Sequence, residues 1–429
     1  MSQAIPAAAP PSEREAWAVL LSVDGLGPAG FAALLAAYGS ALTILAAAGL
    51  SGAAARFARI AAEADGRSKF DEVVGEAIVG LRALLDERLA ALRASGLTIV
   101  TLDDPEYPAR LRAIELPPPV LIVRGDVDVL SARRAVAIVG TRRPTERGRL
   151  VAARIAGAVT QAGAVVVSGL AVGIDGAAHA AAVAEHAPTI AVLGSGHDHL
   201  FPQVHHRLAS EIVGNGGTTV SESWPDQEPT RYTFPKRNRV ISGLADATIV
   251  VEAPLKSGAL ITARWALEQG RGLFLVPGPI DEKRSAGCLA WLRELPGEAR
   301  IVAGIPELMV DLELVETPAE DGDPDTANGP QRSRRVRRPG LEAVLVELGP
   351  TARQVGAALV AGHGSLDELV ATTGQPPATV LGAITLLELR GLATSTYGRY
   401  RAAGQLASAT APEVRAPRRR GLPVSAGPC

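Results

Sequence analysis

Aromatic side chains make up only 3% of this 429-residue sequence, and cysteine occurs twice, at Cys288 and Cys429. Two cysteines cannot build a disulfide framework or a four-ligand zinc site, and they fit a reducing, cytoplasmic setting. So few aromatics leave little for a base-stacking platform. Neither sign of charge dominates: 43 Lys and Arg face 45 Asp and Glu, a net charge of −2. A uniformly basic coat for nucleic acid is therefore excluded, although a local basic face is not. Long hydrophobic runs are missing as well. The greasiest segment, FAALLAAYGSALTILAAAGL, is mostly alanine and is broken by Gly39 and Ser40, so it reads as a buried helix pair rather than a membrane span. The first residues, MSQAIPAAAPPSERE, have neither the charged start nor the apolar stretch of a signal peptide. What is abundant is apolar: 47% hydrophobic residues can bury one large core and two small ones.

The pattern changes along the chain. Residues 1–12 read as disordered. From 13 to 95 the sequence is Ala/Leu-rich with helical spacing, as in Leu81, Leu84, Leu85, Leu89 and Leu92. From 96 to 312, eight short apolar runs (LTIVTL, VLIVRG, AVAIVG, AVVVSG, TIAVLG, TTVSES, ATIVVEA and GLFLVPG) alternate with helical stretches. That alternation predicts an α/β fold with parallel strands covered on both faces, and ligand loops at one sheet edge. Residues 313–340 carry acidic then basic blocks with few large apolar groups and read as a linker. Residues 341–404 form a small domain with helix, turn, helix and a short β wing. Ser365 and Glu368 there match a capping box. The would-be recognition helix, ATVLGAITLLELRG, is almost uncharged, which suits protein contacts better than DNA. Residues 405–429 read as a disordered tail.

Several loops could carry chemistry. After AVAIV come Gly140, Thr141, Arg142, Arg143 and Thr145, then a helix. A glycine leaving a strand, small hydroxyls and a helix N-terminus make an anion pocket, and the arginines can add charge-assisted contacts. A tight turn with solvated arginines fits equally well. No GxGxxG is present, which disfavours a dinucleotide cofactor. In VVSGLAVGIDGAAH, Ser168 and Gly169 end a strand, and Asp175 lies one turn before His179. An acid–base pair is conceivable, but an Asp175 N-cap with His179 held nearby is the preferred reading. His197, His199, His205 and His206 cluster without the spacing of a zinc site. The strongest local signal is FPKRNRVISGL, where Lys236, Arg237 and Arg239 flank Asn238 immediately before an expected helix, with Asp246 the first acid after them. Phosphate or nucleic acid is a reasonable target. Lys256, Ser257 and Gly258 then precede another helix, where Ser257 can face an anion or act as a plain N-cap. Tyr232 could stack a base, while Phe234 reads as packing. The DGLGP turn offers backbone N–H groups through Gly25 and Gly27, or simply reverses the chain.

VGTRRPT, SGLAVGIDGAAH, FPKRNRVISGL, SGALITA and VPG follow one another between Val136 and Pro279. In this order and spacing the chain resembles the bacterial DNA-processing protein A family (DprA, also called Smf). The resemblance implies an extended Rossmann-like parallel-sheet core between an N-terminal helical domain of helix-hairpin-helix or SAM-like type and a C-terminal winged helix. It also implies a non-catalytic, homodimeric mediator that binds single-stranded DNA and loads the RecA recombinase in natural transformation, with no cofactor or metal. By that resemblance Arg142, Lys236, Arg237 and Arg239 are strand-binding groups, and Gly140, Thr141, Ser168, Gly169, Ser257 and Gly258 are the small walls of the same pocket. Arg143, Thr145, Asn238 and Lys256, their neighbours in the same loops, are candidate DNA-binding residues with them. The chain departs from the family at FPQVH, where YPxxN is usual, and at AGCLAWLRELPGEA, where Gly-Thr-Asn and a Leu-Ile stretch are usual. Two alternatives stand beside this reading. A nucleotide-hydrolysing enzyme of related fold would carry a PGGxGTxxE element, which is not found here. A winged-helix transcription regulator would need a more charged second helix.

Overall fold

The computed structural model describes residues 9–65, 71–315, 348–396 and 399–403, with single positions 345 and 406. The expected linker from 316 onward and most of the expected tail lie outside the described residues, as do residues 1–8. Residues 9–12, expected to be disordered, are held in place. Ser12 closes a capping box with Glu15 at the start of α1 (Glu13–Leu21), and Arg93 donates to the carbonyls of Ala9 and Pro10.

Four more helices complete the first domain: α2 (Pro28–Tyr38), α3 (Ala41–Ala47), α4 (Ala53–Asp65) and α5 (Asp71–Ala94). Gly25, at a φ of +85°, turns the chain between α1 and α2, and left-handed Gly39 ends α2. The greasy segment is thereby folded into two helices bent by 83°, their apolar faces buried with Trp17, Phe31 and Phe57. Among the described residues no single helix is long and apolar enough to cross a membrane.

The core is a nine-stranded sheet in the order β1-β2-β6-β5-β4-β3-β7-β8-β9. All eight expected runs are strands: β1 (Thr98–Thr101), β2 (Val120–Gly125), β3 (Ala135–Val139), β4 (Val165–Ser168), β5 (Thr189–Val192), β6 (Thr218–Ser221), β7 (Ala247–Val250) and β8 (Gly272–Leu275). The ninth, β9 (Ala299–Ile301), exposes two of its three residues, so no apolar run announced it. The expectation of parallel strands throughout needs one correction. β1 pairs antiparallel with β2, and β2 with β6, whereas β3 to β9 are parallel. The segment between β1 and β2 holds only the four-residue helix α6 (Ala109–Arg112) in place of the longer crossover helix usual between parallel strands.

From β3 the chain winds outward through α7 (Glu146–Gln161), β4, α8 (Ile174–Ala184), β5, α9 (His206–Gly214) and β6. It then crosses back by α10 (Thr233–Gly243) to β7 and continues through α11 (Gly258–Glu268), β8, α12 (Ala286–Glu294), β9 and α13 (Ile305–Asp311). Winding direction reverses between β3 and β7, so loops diverge there and leave a crevice at the strands' carboxyl ends. Both sheet faces are covered, and the central strands are buried along their whole length. The last domain contains α14 (Pro350–Val360), α15 (Leu366–Thr373), α16 (Pro377–Leu389) and the antiparallel wing β10 (Ala393–Thr396) with β11 (Arg399–Ala402). Ser365 and Glu368 form the expected capping box.

Candidate functional site

At the β3/β7 reversal lies a hollow of about 300 Å³, lined by Gly140, Arg142, Ala171, Asp175, Phe234, Arg237, Asn238, Ser257 and Gly258 among others. Four of its residues come from α10, at Phe234, Arg237, Asn238 and Ile241, a spacing that puts them on one helical face. The cations of FPKRNR are therefore inside the helix, which begins at Thr233, rather than ahead of it. Helical geometry then divides them. Arg237 turns into the hollow, while Lys236 and Arg239, three residues apart, share another face and meet the carboxylate of Glu222.

Arg237 is 5% exposed. Its Nη1 donates to the carbonyls of Gly169 (2.6 Å) and Val192 (2.5 Å). Burial lowers its pKa to about 10, against the opposing pull of Asp175, so it stays charged at neutral pH. Asp175 is also buried, and desolvation raises its pKa while Arg237 holds it down. Arg142 is exposed, with its guanidinium 5.1 Å from the Phe234 ring centre, and that of Arg237 lies 5.9 Å from the same ring. Cation–π attraction on one aromatic ring lets two like charges sit together. Phe234, expected to be a packing residue, is thus a wall of the site, and it also meets Phe201 at 5.7 Å between ring centres.

The small residues have separable jobs. A Cβ on Gly169 would come within 2.5 Å of the Arg237 guanidinium, so only glycine leaves room for that side chain. A Cβ on Gly140 would come within 2.5 Å of Ile174. Ser257 caps α11 through Ala259 N, and Asn238 Nδ2 donates to the Gly258 carbonyl at 3.2 Å, tying α10 to that loop. Thr145 caps α7 and donates to Glu252 at 2.5 Å, which occupies its hydroxyl. Thr141 accepts from the Arg143 amide, and buried Ser168 donates to the Ile138 carbonyl at 2.6 Å. Arg143 and Lys256 are exposed but do not line the hollow. Arg239 is 5% exposed and engaged by Glu222 and by the Leu116 carbonyl. Lys236 is half-exposed, 3.7 Å from Glu222.

The preferred reading of Asp175 as the N-cap of α8 needs correcting, and Asp175 and His179 are not paired as acid and base either. The N-cap of α8 is Gly173, and the Asp175 carboxylate instead accepts from the Gly169 amide at 3.2 Å. His179 Nδ1 faces the Thr189 hydroxyl at 2.9 Å, and burial drives its pKa down to about 3. An unfolded histidine protonates near 6.5, so protons favour the unfolded chain as pH falls from about 6.5 towards 3. His197, lowered by burial to about 4, adds with the same sign. Unfolding free energy is expected to fall below pH 6.5 by up to ~1.4 kcal/mol per pH unit for each group. Denaturant titrations of His179→Asn, which keeps an amide against Thr189 but cannot titrate, should show a shallower slope; an unchanged slope rejects the assignment.

The remaining histidines are spread out. His197 and His205 turn a ring nitrogen to the carbonyls of Thr219 (3.3 Å) and Leu170 (2.8 Å), and among the described residues no metal-holding group forms. The DGLGP turn borders a separate hollow where Asp24, Glu222, Asp226 and Glu228 outnumber Arg88 and Lys236, surroundings that suit phosphate poorly.

Comparison with known proteins agrees with this architecture. The profile of the family described as DNA recombination-mediator protein A matches residues 98–313, and that of the DprA winged helix domain matches residues 340–399. The DNA processing protein DprA of Bacillus subtilis is 40% identical over 206 residues, 48% of this chain and 69% of its own length. Protein Smf of Synechocystis is 34% identical over 312 residues, 70% of this chain and 78% of its own. The crystal structure of DNA processing protein A from Streptococcus pneumoniae superposes with a TM-score of 0.57 at 29% identity, covering 71% of this chain and 99% of that one. With its core, its winged helix and its ordered loops all matched, the chain belongs to the DNA recombination-mediator protein A (DprA/Smf) family.

Proposed function

We propose that the hollow at the β3/β7 reversal binds the phosphate backbone of single-stranded DNA, and that the protein is a non-catalytic mediator which protects such strands and delivers them to the RecA recombinase as a homodimer. Natural transformation is the setting consistent with its family. The reading rests on one observation: Arg142 and Arg237 converge on Phe234 at the sheet's carboxyl edge. Two guanidiniums present forked donors that match phosphate oxygens, and a backbone contact of this kind reads no sequence. With a net charge of −2, attraction depends on this focused site rather than on the whole surface. A second protomer on the same strand would raise apparent affinity through effective concentration.

Arg142 is the group to remove, because it is exposed and its side chain makes no hydrogen bond among the described residues. Arg142→Ala is expected to weaken binding to single strands of any sequence by on the order of tenfold (~1.4 kcal/mol). The dependence of log K on log salt should flatten by about 0.7. Mobility shifts with single-stranded and duplex DNA at two salt concentrations measure both. Equal affinity and slope for variant and wild type, or preference for the duplex, would overturn the proposal. Incubation with nucleoside monophosphates and assay for free base tests the enzymatic alternative directly.

A further inference from the structure

A second groove of about 420 Å³ lies beside the hollow, between α7, α8 and α9, with Arg149, Arg207 and His205 in its lining. We infer that this groove receives the continuation of the same single strand, with Arg149 and Arg207 binding phosphates beyond those held by Arg142 and Arg237. The inference rests on the function proposed above and extends its footprint.

Three observations carry it. The first is continuity. Gly173, which lines the groove, packs so tightly on the Thr141–Arg142 loop that a Cβ there would be 2.9 Å from Arg142 Cα. The groove thus begins one chain thickness from the hollow's exposed arginine. The 201–205 loop joins the two from the other side: Phe201 touches Phe234, and His205 bonds the Leu170 carbonyl next to Ala171 of the hollow.

The second is charge. Arg149 is exposed, and its side chain has no acceptor among the described residues. Arg207 is 90% exposed in its side chain and holds Glu211 at 2.7 Å, a solvent-screened pair that a phosphate can exchange into. Exposed Arg143 and Arg147 extend the positive potential along the start of α7, where Glu146 is the one exposed acid between residues 141 and 150. The third is shape. Gly173, Gly176, Ala177 and Ala180 add little bulk to its lining, with the His205 ring packed on Gly176. A basic groove that opens from a phosphate-binding hollow suits a polyanion that enters at one and leaves by the other.

The two regions are separable by oligonucleotide length. Fluorescent oligodeoxythymidylates from 4 to about 25 nucleotides are titrated against the full-length wild type, Arg149→Ala/Arg207→Ala, Arg142→Ala and Glu211→Gln. The double variant is expected to bind the longest oligonucleotide about tenfold more weakly, with a salt slope flatter by about 1.4 for two lost contacts. It should bind the shortest oligonucleotide that the wild type retains as well as the wild type does. Arg142→Ala should weaken both lengths. Glu211→Gln frees Arg207 and should tighten binding to the long oligonucleotide about twofold to threefold, a gain that structural damage cannot produce. Equal long-strand affinity and slope for the double variant and the wild type would overturn the groove while leaving the hollow standing, as would equal losses at every length. A wild type that binds no oligonucleotide at all would instead overturn the function itself.

Discussion

Arg239→Ala is expected to destabilise the fold by about 3–5 kcal/mol while leaving the single-strand affinity of the molecules that remain folded unchanged. The side chain is buried with Glu222, which is itself 8% exposed, and its Nη1 donates to the Leu116 carbonyl at 2.5 Å. Removing it leaves a desolvated carboxylate with only Lys236, 3.7 Å away and half in water, and one carboxylate oxygen, Oε1, already buried without a partner. The penalty is therefore that of an uncompensated buried charge rather than of a lost surface contact. Replacing both partners together, as Arg239→Met/Glu222→Leu, should recover most of the loss. Urea denaturation of the two variants, paired with strand titrations, checks this. An Arg239→Ala protein as stable as the wild type but weaker on DNA would return this arginine to the binding site.

That contrast marks how far the sequence could be read. Strand runs, the Ser365–Glu368 capping box and the glycine-led loop at Gly140 rest on local chemistry, and each has its expected structure. The division of the FPKRNR cations does not rest on local chemistry. Placing the start of α10 at Thr233 would have predicted that Phe234 and Arg237 share a face apart from Lys236 and Arg239. Tyr232 has no side-chain capping bond, and the Thr230 hydroxyl that accepts from the Thr233 amide lies ahead of the ordinary N-cap position, so only Pro235 in the first turn marks the start. The acid that neutralises Arg239 lies 17 residues upstream, past the end of β6, where a search for acids following the cluster cannot find it. Asp175 reads locally as an N-cap, but its carboxylate feels a guanidinium from another crossover, a proximity set by the reversal at β3/β7. β1 and β2 reverse direction across a connection that holds only the short helix α6, a feature that the apolar pattern of the strands themselves does not encode.

Asp175 supplies the prediction with the least ordinary sign. It is a buried carboxylate lining a hollow proposed to hold phosphate, so in its ionised form it opposes the ligand even as it steadies Arg237. Arg237→Ala is expected to abolish measurable single-strand binding and to cost about 3–5 kcal/mol of stability, because the Gly169 and Val192 carbonyls lose their donor and Asp175 loses its counter-charge. Asp175→Asn keeps an oxygen acceptor for the Gly169 amide while removing the negative charge. It should tighten single-strand binding by roughly threefold to tenfold, since one repulsive charge near the phosphate is gone. The Arg237→Ala/Asp175→Asn double variant should be more stable than Arg237→Ala alone yet equally unable to bind, because the carboxylate is no longer stranded but the guanidinium is still missing. Denaturant unfolding of the four proteins forms a double-mutant cycle in stability, and strand titration reads binding alongside it. Coupling in stability is the expected pattern, with binding lost wherever Arg237 is absent. If Asp175→Asn weakened binding instead, the carboxylate would be holding Arg237 in its binding orientation, and that geometric contribution would outweigh the repulsion between carboxylate and phosphate.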